Sequence, residues 1–354
     1  MRKFTVYYMY KNEICAYDRV THALLKMEND HWVPVITFPF LEKHIINAKV
    51  CIFGNDIYIW EYGNTNVFRY DAISDEAEWI EFENMKVDDL GACISNLVFS
   101  DSNVIALPCK NSRVGQYSPV NKCVVEYEKM RQEIDKLHDL YHDESGVKIR
   151  AWGAPGIDNK IYMILSDDSR DRIGIFDLSD ERLDTISIGN FERLFHLNYF
   201  QGYLWVQAVY KDEMFITKIS LDGAIIDTAA LPDKQPWRYM QWFENNICFV
   251  MGEDKIIIVD EQFSMKTFEC TDLVYVSDGF VRDGDGEVYH CVYSDSELHF
   301  AKVAAADRGL YQSEEYRSRM KAFFEGRAVA EMAFNGMDLD SYIQFVSLCT
   351  GDKQ

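Results

Sequence analysis

Apolar and polar positions alternate along this chain in short bursts, and the bursts recur at intervals of roughly 40–60 residues. Asn55 to Asp71 (NDIYIWEYGNTNVFRYD) reads as turn, apolar strand, turn and second strand, and Asn159 to Asp177 (NKIYMILSDDSRDRIGIFD) repeats the order. Period-two alternation bounded by Asn, Asp and Gly predicts half-buried strands joined by hairpins. The second strand of each unit ends on a similar pair: Tyr17-Asp18, Tyr70-Asp71, Tyr117-Ser118, Phe176-Asp177, Ile219-Ser220 and Val259-Asp260. An acidic or hydroxyl side chain at a strand end accepts backbone N–H bonds across the next turn, which accounts for its return.

After each ending comes another short strand (THALLKM, DEAEWIEF, NKCVVEY, ERLDTISI, GAIIDTAAL, SMKTFEC). Before each lies an apolar partner (TVYYMY, DIYIWEY, VIALPC, KIYMIL, YLWVQAV, ICFVM and finally EVYHCVY), usually with a further strand ahead of it. Four antiparallel strands per repeat, 47 residues from Asp71 to Ser118 and 40 from Ser220 to Asp260, match one propeller blade. The expected fold is therefore all-β: a β-propeller over residues 1–304, with seven blades from seven partner strands and six as the alternative. The first copy is expected to lack its inner strand and the last its outer one. A pair of β-sandwiches would explain alternation but not the recurring endings. The Tyr-Asp endings and NKIY-type strands, over about residues 4–304, resemble β-propeller repeat proteins of kelch-like or quinoprotein-like architecture. Kelch glycine pairs and Trp-Asp endings are not regular features, so the resemblance is one of architecture.

Two helical patterns interrupt the strands. Residues 128–144 (EKMRQEIDKLHDLYHDE) place Met130, Ile134, Leu137 and Tyr141 on one stripe, predicting a helical insertion over about 128–145. Residues 305–354 form an expected helical tail that packs on the propeller or on a partner. Ser313 followed by Glu314 and Glu315 is a helix start, and Tyr316, Met320, Phe323 and Phe324 supply its apolar face. Asp338 begins a last helical pattern through Leu339, Tyr342, Ile343 and Val346.

Composition narrows the partners. Lys and Arg number 36 against 58 Asp and Glu, a net charge of −22 that repels nucleic acid and anionic membranes. Nine cysteines, mostly inside apolar strands and without a CxxC pair, point to reduced thiols and a cytoplasmic location. No signal-peptide core and no run of roughly 20 apolar residues is present.

Three constellations carry chemistry. His138 and His142, four apart in HDLYH, would reach one metal, but Asp139 is short for a zincin base and both histidines border the apolar stripe. Asp283-Gly-Asp285-Gly-Glu287 opens like a calcium loop, yet Val288 and Ser294 occupy the places that need glycine and an acid, so a hairpin turn is expected. No metal or cofactor is expected. Neither a GxSxG elbow, a phosphate loop nor a dinucleotide fingerprint occurs.

The third constellation is basic. Arg150, Arg193 and Arg238 stand near the start of predicted innermost strands, beside Trp152, Trp237 and Trp242. Around a propeller axis they would converge as a ligand-binding mouth for a carboxylate, a phosphate or a glycan. The alternative is that each arginine pairs with a local carboxylate such as Glu192 or braces adjacent blades. Two functions follow. The chain is either a non-catalytic binding or scaffold propeller engaging a protein or other ligand through its loop face or helical tail, or an enzyme or small-ligand receptor using the axial mouth. The missing catalytic signatures favour the first.

Overall fold

The computed structural model describes residues 4–325, apart from 5, 19–20, 38–47, 62–64, 86–93, 101–102, 109–112, 142–147, 151–155, 167–169, 233–238, 244–246, 252–254, 261, 271, 278 and 306. Among the described residues the strands form seven antiparallel sheets, each laid down in chain order. The first holds β1 (Val6–Tyr10), β2 (Glu13–Asp18), β3 (Ala23–Glu28) and β4 (His31–Thr37). The second holds β5 (Ala48–Phe53), β6 (Asp56–Glu61), β7 (Asn66–Asp71) and β8 (Glu76–Glu81). The third holds β9 (Ile94–Ser100), β10 (Asn103–Pro108), β11 (Gly115–Ser118) and β12 (Cys123–Glu126), followed by helix α1 (Glu128–Tyr141).

In the fourth, β13 (Lys148–Arg150) and β14 (Gly156–Ile157) both pair with β15 (Lys160–Ser166), ahead of β16 (Asp171–Asp177) and β17 (Arg182–Ile186). Next come β18 (Arg193–Phe200), β19 (Tyr203–Tyr210), β20 (Glu213–Ile219) and β21 (Ile225–Ala230). The sixth sheet is β22 (Tyr239–Phe243), β23 (Ile247–Met251), β24 (Lys255–Val259) and β25 (Met265–Glu269). The last is β26 (Val274–Ser277), β27 (Phe280–Arg282), β28 (Val288–Ser294) and β29 (Glu297–Lys302), followed by α2 (Arg308–Gln312) and α3 (Glu314–Glu325). The architecture is an all-β propeller with a small helical part.

The expectation of incomplete end copies is corrected, because the first and last sheets each have four strands. The reason is a shift of the repeat by one strand. Tyr70-Asp71 closes the third strand of its sheet, whereas Tyr17-Asp18 closes the second. The same turn chemistry serves either hairpin, so the strand ending alone does not say which strand it ends.

The chain divides into two compact units, Met1–Ile59 with Asp272–Gln354, and Trp60–Thr271. Within the first unit, sequence ends meet. Ser277 of β26 accepts a bond from the Tyr7 N–H at 3.0 Å and donates to the Tyr7 carbonyl at 2.6 Å. Tyr7 and Trp32 of the first sheet, Phe280 and Val288 of the last, and Leu310, Tyr311, Tyr316 and Met320 of the helices share one buried core. The α2 backbone lies so close to β4 that a Cβ on Gly309 would come 2.6 Å from the Trp32 carbonyl oxygen. Only a residue without a side chain fits there.

Helix α3 starts where the sequence predicts, with the Ser313 Oγ accepting the Tyr316 N–H at 3.2 Å. Tyr316 is fully buried, and its hydroxyl donates to the buried Asp18 carboxylate at 2.9 Å, beside Thr21 at 2.5 Å. The one-strand shift places Asp18 at the turn into the third strand, where its carboxylate takes both Thr21 of that turn and Tyr316 of the tail. The helical pattern after Asp338 lies outside the described residues.

In the second unit α1 ends at Tyr141, and residues 142–144 of the expected helix lie outside the described residues. Its Met130, Ile134 and Leu137 are buried against Val98, Ile105 and Val114 of the third sheet region and Ile161, Met163 and Phe176 of the fourth. The inserted helix therefore fills the wedge between consecutive sheets. One buried group has no such fit. Gln207 of β19 is 0% exposed, and among the described residues neither its amide nitrogen nor its oxygen has a hydrogen-bond partner. By strand alternation it shares a face with Trp205 and Val209, which pack against Met240, Ile257 and Val259. An orphaned buried amide costs about 1–3 kcal/mol. Gln207→Leu, close in volume, is expected to raise the thermal midpoint by several degrees in a calorimetric scan, and a lowered midpoint would contradict this account of the site.

Candidate functional site

Strand-end side chains act as the sequence predicts. Asp71 Oδ1 accepts the N–H groups of Ile73 and Ser74 at 2.9 and 3.3 Å. Asp177 Oδ1 accepts those of Ser179 and Asp180 at 2.8 and 3.3 Å, and Asp260 Oδ1 those of Gln262 and Ser264 at 3.0 and 2.8 Å. Backbone donors hold the Asp71 and Asp177 carboxyls below the ordinary carboxylate range. The Asp283 segment is also a turn: its carboxylate accepts the Glu287 N–H and the Tyr289 hydroxyl, both at 2.8 Å. Burial alone would raise this carboxyl, but the Tyr289 and backbone bonds together lower it.

The arginine set resolves unevenly. Arg193 opens β18, and its Nη1 lies 3.2 Å from Asp171 Oδ1 and 3.4 Å from Ser166 Oγ. The Asp171 side chain is 0% exposed against 35% for Arg193. Asp171 also accepts the Ser166 hydroxyl at 2.5 Å and the Leu194 N–H at 2.8 Å, while its own N–H donates to the Glu192 carbonyl at 3.0 Å. Asp171 belongs to the fourth sheet and Leu194 to the fifth, so this cluster stitches neighbouring sheets. The local-carboxylate reading therefore describes Arg193, with Asp171 in the place given to Glu192.

Arg150 is the last residue of β13 and stands opposite Ile164, five residues after the Asn159 turn. Arg193 stands opposite Val209, seven residues after Gly202. In the fourth sheet that register position, opposite Ser166, belongs to Lys148. A bulge in β18 between Phe195 and Asn198, with His196 in left-handed backbone at φ 51°, contributes to the offset. Arg238, Trp152 and Trp237 lie outside the described residues, and Trp242 is placed on β22 opposite Cys248. His138 lies on α1, His142 is outside the described residues, and no cluster of three or more metal-ligating groups occurs among the described residues.

Other polar stitches repeat the theme. Glu78 of β8 takes Arg69 Nη1 at 2.7 Å and the Tyr117 hydroxyl of the third sheet at 2.6 Å. Asn198 of β18 donates to the Met240 carbonyl of β22 at 3.1 Å. Thiol chemistry is suppressed in the interior: burial pushes Cys15 up to about 12 and Cys270 up to about 11. Burial also lowers His290, which stacks on Phe280 with ring centroids 4.8 Å apart.

A feature the repeat-by-repeat reading missed lies on the capped turns. Ile73 and Val120, each two residues after a strand-end Asp71 or Ser118, are 72% and 81% exposed. Lining up the turns after the third strands would have exposed them, because Ser179, Asp222 and Gln262 hold the same place.

No family model and no curated protein matches the chain. Its structure is similar to virginiamycin B lyase from Staphylococcus aureus (TM-score 0.55, 12% identity, 85% of this chain and 92% of that one). Dihydro-heme d1 dehydrogenase NirN in complex with DHE is similarly related (TM-score 0.54, 11% identity, 82% and 63%). So is PorZ, a surface component of the type-IX secretion system of Porphyromonas gingivalis (TM-score 0.55, 8% identity, 85% and 38%). At such identities the likeness shows the fold, a β-propeller, and no activity.

Proposed function

We propose that this protein is a non-catalytic binding propeller that engages a protein partner through its loop face or its tail, each of the seven sheets being one blade. The supporting observation is the commitment of Arg193 to a buried carboxylate that stitches two sheets. A guanidinium so used is structural capital of the fold, and its positive charge is matched at source. The net charge of −22 argues against nucleic acid and anionic membrane as partners, and the free thiols of Cys15, Cys123 and Cys270 suit a cytoplasmic location.

A second reading keeps an enzyme or small-ligand receptor at the axial mouth for an anionic or glycan-like molecule. It draws on the 35% exposure of Arg193 and on two neighbours whose names are those of enzymes. Thermal scanning against a panel of carboxylates, phosphates and oligosaccharides separates the two. Under the binding-propeller reading no compound raises the melting midpoint. A rise that disappears in Arg193→Ala while other compounds stay silent would install the second reading instead.

A further inference from the structure

We propose that Ile73 and Val120 are paired apolar anchors of a docking surface for a protein partner presenting a shallow apolar pocket with a basic rim. This rests on the binding-propeller reading and gives that binding a place and a chemistry.

The repeat supplies its own control. In three of the capped turns the N–H two residues past the strand end is bound by the strand-end carboxylate: Ile73 to Asp71, Ser179 to Asp177, and Gln262 to Asp260. The backbone at that place is fixed while the side chain points to solvent, so the fold asks nothing of it. Among the five endings that close a third strand, polar Ser179, Asp222 and Gln262 occupy it in three turns and aliphatic Ile73 and Val120 in two, while Val20 holds the place after Asp18, which closes a second strand. Ile73 and Val120 belong to consecutive sheets. Lys122 Nζ lies 3.6 Å from Glu76 Oε2 and the Tyr117 hydroxyl 2.6 Å from Glu78 Oε1, which brings the two hairpins side by side. The two aliphatic tips, 72% and 81% exposed, therefore stand on neighbouring hairpins.

Charge selects the occupant. Asp71, Asp75 and Glu76 lie on the Ile73 hairpin, where Arg69 stands 4.0 Å from Asp71 and Lys122 3.6 Å from Glu76, so the acids outnumber the bases, and backbone donors hold the Asp71 carboxyl low. An anionic lipid surface or a nucleic acid meets repulsion there, whereas a basic-rimmed pocket gains from both the hydrocarbon and the acids.

The test places the photo-crosslinker p-benzoylphenylalanine at 73 or 120 of the full chain in its native cells. Positions 179 and 262 serve as repeat controls, and 158 and 212 as other hairpin tips. The expected result is one polypeptide crosslinked from both 73 and 120 and absent from 179 and 262. With that partner purified, Ile73→Ser and Val120→Ser should each weaken binding about tenfold by calorimetry, with the melting midpoint unchanged, and added salt should weaken it further. Equal adducts at 179 and 262, unchanged affinity in the double variant, or adducts to lipid with zwitterionic vesicles pulled down by the wild type alone would each overturn the proposal. A partner crosslinked only from 158 or 212 removes this docking surface and leaves the binding reading standing. No protein adduct from any position removes both.

Discussion

A chain ending at Gln312 is expected to be insoluble or to aggregate on mild warming, because its first sheet loses the cover of α3. Tyr316 and Met320 are 0% and 1% exposed in the core shared with Tyr7, Trp32 and Phe280. Single substitutions divide the effect. Tyr316→Ala removes a fully buried ring and is expected to cost about 3–5 kcal/mol. Tyr316→Phe keeps the ring and removes only the hydroxyl given to Asp18, a loss of about 1–2 kcal/mol that leaves Asp18 with Thr21. Light scattering of the truncated chain and denaturant titration of the two variants read these out. Truncation without loss of solubility, or equal stability of the two substitutions, would mean that α3 is a passive appendage.

The second large effect is expected at Asp171. Asp171→Ala strips acceptors from Arg193, Ser166 and the Leu194 N–H in one step. Breaking a buried ion pair costs about 3–5 kcal/mol, and the 35% exposure of Arg193 puts this one near the lower end. For a unit of this size that is a fall of about 6–12 °C in the thermal midpoint. Asp171→Asn keeps the shape and one acceptor and should lose about half as much. Because Arg193→Ala removes the same stitch, the double variant should be less damaged than the sum of the singles. Additive losses would show that the two side chains act separately and would return Arg193 to the solvent-facing role.

Local chemistry was legible in the chain and long-range pairing was not. The Asp71, Asp177 and Asp260 caps, the Met130–Ile134–Leu137 stripe and the Ser313 helix start each depend on residues within a few positions of one another. The Arg193 partner is 22 residues away and on another sheet, where turn and strand patterns carry no signal. Register failed for a related reason. The two-residue offset between Arg150 and Arg193 depends on a bulge and on an inner strand split into β13 and β14, and neither feature alters the apolar alternation. The tip residues Ile73 and Val120 were readable in principle. They stand out only when one turn is compared with the next, because each is unremarkable alone.

The burial of Trp32 among Phe280, Val288, Leu310 and Tyr316 has a consequence for synthesis. The hydrocarbon that shelters Trp32 is translated long after it, up to 316 − 32 = 284 residues later at Tyr316. At about 5–20 residues per second the nascent first sheet waits roughly 15–60 s on the ribosome without its cover. Its newborn form is therefore a natural client of chaperones that hold exposed aromatic surface until release.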